Sequence, residues 1–447
     1  MLCSGPLINT AREWLDISPT DAEDYGCQGH WAKGELMFGR TKGIIGLDIG
    51  SHAVKLVVLK PQRGDLPYQL THFGVAELPS ESIVEGAVVR PGDVAQVIRD
   101  LLVNNKIKGS RIAIAVSGHA VIVRRVTMPR MEEDELRESI VWEAEEYIPF
   151  DVDDVNLDFA ILDENEEANE MDVVLVAAKR DRIEEFMAVI EEAGRESVIV
   201  DVDAFALQNA FELSYPERQN EDIALLNIGA SVINAAVLEE GRPVFWRDIT
   251  LGVRQYVAAL QREFMLDYFD AEEVLRRAGS AAPAEHDQMD AELGGWDADT
   301  DDDYSSDDAG AEDTGEDTLA ETIADEAPLD GGDDDASGGI RDASRDPRVQ
   351  EVVGEVSERL ITEIKKTFDF YHAQSMREQF DCIFLAGGGA HVADLTMRLE
   401  QRLGTPVELL DPLRRVSIPS KSFDPEYVRS MAPQAAVAVG LAMRGDT

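Results

Sequence analysis

The chain has 447 residues, 44% of them hydrophobic, which is enough for two or three domains with real cores. Its 41 Lys+Arg face 89 Asp+Glu, a formal net charge of −48. That balance argues against sequence-independent binding to nucleic acid or to an anionic membrane surface, both of which need clustered Lys/Arg. The three cysteines (Cys3, Cys27 and Cys382) include no CxxC pair and join no His/Cys cluster, so they give no metal site and fit a reducing compartment. No apolar run approaches the ~18 residues of a membrane span. The N-terminus has no basic segment leading into an apolar core. The expected home is the cytoplasm, with no direct transmembrane insertion.

Residues 1–36 are polar and mixed, with scattered Trp14 and Trp31 and no sustained period. The text changes at Met37, which is the expected native start, and residues 1–40 read as an extension without fixed structure. The stretch Gly43–Lys60, GIIGLDIGSHAVKLVVLK, then gives two apolar runs around a glycine-containing turn, a hairpin pattern. The turn carries Asp48, Gly50 and Ser51. Successive N–H groups at such a turn can cradle phosphate, and an aspartate beside it can hold a hydrated Mg²⁺. An ordinary tight hairpin with a solvated aspartate fits equally well at this point.

Tyr68–Leu78 reads as a third strand, Asp93–Asn104 as a helix with apolar residues at helical spacing, and Arg111–Ser117 as a buried strand. A small α/β module follows at about 121–195. It comprises the strand Val121–Met128, the helix Glu132–Tyr147, the strands Val155–Leu162 and Asp172–Ala178, and the helix Arg182–Glu192. Val198–Val202 resumes strand character, and a helix begins at Ala204.

The opening theme then repeats. Ala224–Leu226 leads into Asn227-Ile228-Gly229-Ala230-Ser231 and a second apolar run, Val232–Leu238, with Pro243–Thr250 as a third strand. Gly252–Phe264 and Ala271–Arg277 read as helices. Residues 280–346 hold 24 Asp/Glu against two basic residues, Arg341 and Arg345, and so carry −22 of the net charge. Such a segment buries too little apolar surface to offset chain entropy and reads as a disordered insert. Beyond it come a long helix, Pro347–Gln374, a strand, Cys382–Leu385, and the glycine run Gly387-Gly388-Gly389. A helix at Asp394–Leu403, a strand at Val407–Leu410 and an Ala-rich closing helix at Pro433–Met443 end the chain.

Each glycine-bearing turn is a weak signal alone. Together, two hairpin turns can clamp phosphates from opposite sides, while a glycine-rich turn opening a helix receives the nucleoside in a cleft between domains. This order resembles the superfamily of ATPases that holds actin, the heat-shock chaperones and the sugar kinases. Within it, LDIGSHAVKLV, MEEDELRESIVWEAEEYIPFD, LLNIGASVINAAVL, IFLAGGGAHV and APQAAVAVGLAMR resemble the PilM family of type IV pilus assembly, from about Met37 to the C-terminus.

The resemblance implies a two-domain actin-like α/β fold, a duplicated RNase H-like unit with an FtsA-like 1C subdomain. Domain 1 would span 41–218 and domain 2 would span 219–447, with a helical subdomain at about 252–378. It implies ATP and Mg²⁺ as cofactors. Asp48, Gly50, Ser51 and Lys55 would form the first phosphate loop, with Asp48 facing the metal through water. Asn227, Gly229, Ala230 and Ser231 would form the second. Gly387, Gly388 and Gly389 would flank the adenosine, with Glu273 and Arg276 at the ribose or adenine, and Asp203 would stand near the attacking water. Lys55 also fits a strand lysine reaching for solvent, and Asp203 a helix cap.

Asn227 stands where many relatives carry Asp, and Ala53 replaces a common hydroxyl residue, which implies ATP binding with slow turnover. The implied role is a cytoplasmic scaffold recruited to the inner-membrane face. It would bind the N-terminal cytoplasmic peptide of a PilN-like bitopic membrane protein, with other pilus proteins such as the motor ATPases as further partners. A small-molecule kinase of the same superfamily and an FtsA-like division scaffold are the alternatives.

Overall fold

The computed structural model describes residues 44–109, 111–280 and 346–444. The expected extension with its start at Met37, and the acidic insert apart from its two end residues, lie outside the described residues. The first half opens with β1 (Ile45–Ile49), β2 (Ala53–Pro61) and β3 (Tyr68–Glu77). The short pair β4 (Ile83–Val84) and β5 (Ala87–Val88), the helix α1 (Pro91–Asn104) and β6 (Arg111–Val116) follow. A module then intervenes, made of β7 (Val121–Pro129), α2 (Glu133–Tyr147), β8 (Val155–Asn165), β9 (Glu170–Lys179) and α3 (Arg180–Glu192). The chain returns through β10 (Glu196–Val202) and α4 (Asp203–Ser214).

The second half comprises β11 (Ile223–Ile228), β12 (Ile233–Glu239), β13 (Arg242–Ile249), α5 (Arg254–Phe264) and α6 (Tyr268–Ser280). It continues with α7 (Pro347–His372), β14 (Cys382–Ala386), α8 (Leu395–Leu403) and β15 (Val407–Leu409). The last elements, β16 (Val416–Ser417), α9 (Pro425–Met431) and α10 (Ala436–Met443), close the chain.

The sheet orders are β10-β6-β1-β2-β3-β16 and β13-β12-β11-β14-β15. Without β16 the two are the same sheet. Each has an antiparallel meander of three strands, whose first strand takes a parallel neighbour (β6 or β14), which in turn takes another (β10 or β15). The repeat visible in the sequence is therefore a repeat of topology. Val54 and Leu56–Leu59 form a near-continuous apolar run because β2 is buried on both faces. One covering layer is α10. A Cβ on Gly46 of β1 would meet Ala438 O at 2.1 Å, and one on Gly440 would meet Ala206 O of α4 at 1.8 Å. The Ala-rich ending of the chain is thus a helix wedged between a strand and another helix, where only small residues leave room.

α1 begins with Pro91 at its first turn and buries Val94, Ala95, Ile98, Leu101 and Leu102, the i, i+3/i+4 stripe expected from its spacing. α7 is capped by Asp346, which accepts from Arg348 N at 2.9 Å. In the module, α2 lays Leu136, Ile140 and Ala144 against Met171, Val173 and Leu175 of the three-stranded sheet β7-β9-β8. α3 departs from that small core: Ile183, Phe186, Val189 and Ile190 pack in the main core of the first half with Val94 and Ile98 of α1. It ties the module down. Among the described residues no helix is long and apolar enough to cross a membrane.

Candidate functional site

The two hairpin turns meet tip to tip. In the first, Gly50 N donates to Ala53 O at 3.1 Å; in the second, Gly229 N donates to Val232 O at 2.9 Å. Ser51 Oγ and Ser231 Oγ share a hydrogen bond of 2.8 Å across the cleft. α5 begins directly on the second turn, with Val253 N donating to Gly229 O at 3.0 Å and Arg254 N to Ala230 O at 2.9 Å. The Arg254 guanidinium then reaches over to Ser51 O (2.8 Å) and Ile83 O (3.3 Å). Further along the mouth, His52 Nε2 lies 3.2 Å from Glu272 Oε1, and Thr250 Oγ1 lies 3.0 Å from His119 Nε2.

The floor of the cleft is acidic. Asp48 pairs with Lys55, its register partner, at 3.1 Å, with the two side chains only 14% and 17% exposed. Asp203, the first residue of α4, sits in the helix's first turn rather than at its cap, which is Val202. Its carboxyl is pushed up to about 7, chiefly by burial and then by the Asp48 charge. A hydrogen bond from Ser117 and the Lys55 charge oppose that rise, while Asp248 adds to it. Asp248 on β13 is also raised, again chiefly by burial, against hydrogen bonds from Asn234 and the Gly118 amide.

The glycine run abuts the second hairpin. Gly387 has φ +85°, and a Cβ there would meet Ile228 O at 2.4 Å and Asn227 Oδ1 at 2.7 Å. A Cβ on Gly389 would strike the Ile228 side chain at 2.3 Å, whereas Gly388 faces open space. The end of α6 reaches the same place, since a Cβ on Gly279 would meet His391 O at 2.5 Å. On α6, Glu273 accepts from Arg276 Nε at 2.8 Å and Arg277 Nε at 2.6 Å, and these partners hold its carboxyl below the usual range. Arg276 is 68% exposed. Asp48, Ser51, Lys55, Asp203, Asn227, Ser231 and Gly387 thus gather along the cleft, while Glu273 and Arg276 form their own ion pair on the helix beside it.

A family model described as "Type IV pilus assembly protein PilM" matches residues 46–287 and 339–446, most of the chain. The chain belongs to the PilM family. A solved structure titled "PilM-PilN type IV pilus biogenesis complex" is similar to it at 26% identity and a TM-score of 0.70, over 91% of this chain and 99% of that one. More distant is the ethanolamine utilization protein EutJ from Carboxydothermus hydrogenoformans, at 14% identity and a TM-score of 0.46, over 90% of this chain and 89% of that one. MreB5 of Spiroplasma citri bound to ADP matches at 12% identity and a TM-score of 0.41, over 90% of this chain and 96% of that one. The α/β fold expected from the sequence, with its sheet unit duplicated, is the fold observed.

In this PilM-family protein several cleft residues carry no motif. Asn234, Asp248, Ser117 and Arg254 each act on the site through a register partner or a crossing loop. Extending the hairpin register from its turn finds Asn234 opposite Asn227 and Asp248 opposite Asn234. Ser117 becomes visible only once β6 and β10 are paired, and Arg254 only once the two halves are docked.

Proposed function

We propose that this PilM-family protein is a cytoplasmic, ATP-binding scaffold of type IV pilus assembly that holds the N-terminal cytoplasmic tail of a PilN-like bitopic membrane protein. The observation carrying the reading is the likeness to the PilM–PilN complex, which spans nearly the whole of both chains. The module supports it with a groove of about 390 Å³ lined by Phe150, Lys179 and Arg180 together with carboxylates that include Asp151, Asp153, Asp154 and Asp181. Such a groove favours a short tail bearing a basic side chain.

The cleft fits a magnesium nucleotide. Asp48, Asp203 and Asp248 bring three carboxylates to one ammonium, Lys55, and burial first, then the Asp48 charge, raises the Asp203 carboxyl. Among the described residues no group of three or more His, Cys, Asp or Glu is placed to hold a metal ion directly. The surplus of carboxylates suits Mg²⁺ that keeps its waters, with Asp48 reached through one of them. Bound Mg·ATP would supply a polarised γ-phosphate. The turn amides after Gly50 and Gly229 would cradle the phosphates, and the exposed Gly388 would face the nucleoside. With a neutral Asn227 in the second turn, the reading predicts tight binding and slow hydrolysis, since phosphoryl transfer depends on positioning and charge neutralisation.

The test is fluorescence anisotropy with a labelled peptide of the partner's cytoplasmic tail, with and without Mg·ATP. Saturable binding to the full chain that fails in Asp153→Lys/Asp154→Lys is expected. Absence of binding under both conditions overturns the reading.

A further inference from the structure

Asn227 on β11, Asn234 on β12 and Asp248 on β13 stand in register, Asn227 opposite Asn234 and Asn234 opposite Asp248. Rungs paired in this way share one face of the sheet. Asn227 Nδ2 donates to Asn234 Oδ1 at 2.9 Å, and Asn234 Nδ2 donates to Asp248 Oδ1 at 2.8 Å. The other carboxylate oxygen of Asp248 accepts from the Gly118 amide of the first half.

The order of donors is dictated from the far end. An ionised carboxylate only accepts, whereas a side-chain amide has one donor end and one acceptor end. Asn234 must therefore turn Nδ2 to Asp248 and Oδ1 to Asn227. Asn227 must in turn spend Nδ2 on Asn234, which leaves Oδ1 facing the glycine run, 2.7 Å from where a Gly387 Cβ would stand.

We propose that Asp248 is a positioning residue of the nucleotide site: acting through Asn234, it locks the Asn227 amide with its oxygen toward the cleft, as an acceptor for the water shell of Mg²⁺. The inference rests on the nucleotide-binding reading above. It also explains how a neutral residue serves in the second turn. In the first half the rung begins with a carboxylate, Asp48, paired to Lys55. In the second half the carboxylate has moved two strands along the same rung, and the amide in between transmits its polarity. A free asparagine would present oxygen or nitrogen to a cation; this one presents oxygen.

The test uses the full chain with Asp248→Asn and with the double variant Asp248→Asn/Asn227→Asp. In the single variant the new side-chain amide can donate back to Asn234, so the relay is free to reverse and the Asn227 oxygen loses its fixed direction. The double variant places the carboxylate at the opposite end of the rung. Asn234 then donates to that carboxylate on β11 and accepts from the new amide on β13. Every hydrogen bond between the three side chains is kept, and the cleft regains an obligatory acceptor.

The readout is the factor by which Mg²⁺ tightens a fluorescent ATP analogue relative to the same titration in EDTA. Asp248→Asn should cut that factor by about fivefold to tenfold, the scale of one lost ordinary hydrogen bond, with Mg-free affinity little changed. The double variant should restore it. A single variant that keeps the full factor, or a folded double variant that fails to regain it, overturns the proposal.

A second arm needs no nucleotide. The Asn227 side-chain amide protons should exchange slowly in the parent protein and rapidly in Asp248→Asn. Protected Asn227 protons without any ATP binding count against the nucleotide reading and leave the relay standing. Unprotected protons in the parent overturn the relay.

Discussion

Ser51 Oγ and Ser231 Oγ lie 2.8 Å apart although 180 positions separate them in the chain. Their contact is the point at which the two halves of a duplicated fold touch at matching turns. A phosphate group held by both turns must separate these hydroxyls. In a Ser51→Cys/Ser231→Cys variant the two thiols should join readily under mild oxidant, and Mg·ATP should slow the joining several-fold. Gel mobility without reductant follows it. A rate indifferent to nucleotide would place the phosphates elsewhere.

The glycine run contains two kinds of glycine. Gly387 (φ +85°) and Gly389 press on Ile228, with no room for a Cβ, whereas Gly388 faces open space. Gly387→Ala should cost about 2–4 kcal/mol of stability, the scale of overpacking plus backbone strain, and Gly389→Ala about 1–3 kcal/mol from overpacking alone. Gly388→Ala should leave the urea midpoint nearly unchanged and act only on nucleotide affinity. Equal midpoints for all three variants would contradict the packing described.

Much of this arrangement was legible before folding. The hairpin turns, the module and the glycine run announce themselves through local composition, and each formed where its residues place it. The helix expected to start at Pro433 begins instead with a short 3₁₀ turn, Ala432–Ala435, and α9 was not anticipated, because seven residues with Tyr427 exposed show no period. The site was legible only where turns carry it. Asp248 and Arg254 contribute through partners on other strands or in the other half, and local spacing holds no record of that. Asp248 enters the same cleft from β13, where no glycine-bearing turn marks it.

Arg254 reaches from α5 to the main chain of the first half, bonding Ser51 O of the opposite turn and Ile83 O of β4. A lysine cannot reproduce a planar fork of donors. Arg254→Lys should therefore loosen the cleft without unfolding either half. The expected result is faster amide exchange in the turns around Ser51 and Ser231 and a stability loss of about 1 kcal/mol, the net value of a hydrogen bond or two. Unchanged exchange at both turns would show that the bridge does not hold them together.

Asp203 gives the site a pH signature with a definite sign. Burial and the Asp48 charge raise its carboxyl from 3.8 to about 7. The folded chain therefore keeps this proton over a range in which the unfolded chain has lost it. Stability contributed through this group is greatest below about pH 4 and falls as pH rises toward about 7, levelling above that. Asp203→Asn removes the slope. The variant should come closest to the parent below about pH 4, and its advantage should grow by about 2–3 kcal/mol between pH 5 and pH 8. Urea midpoints from pH 5 to pH 8 measure this, and a uniform loss at every pH would refute it. A divalent cation entering the cleft should displace the same proton. Calorimetry of Mg·ATP binding at pH 6.5, in buffers of different ionisation enthalpy, should report proton release from the parent protein and markedly less from Asp203→Asn.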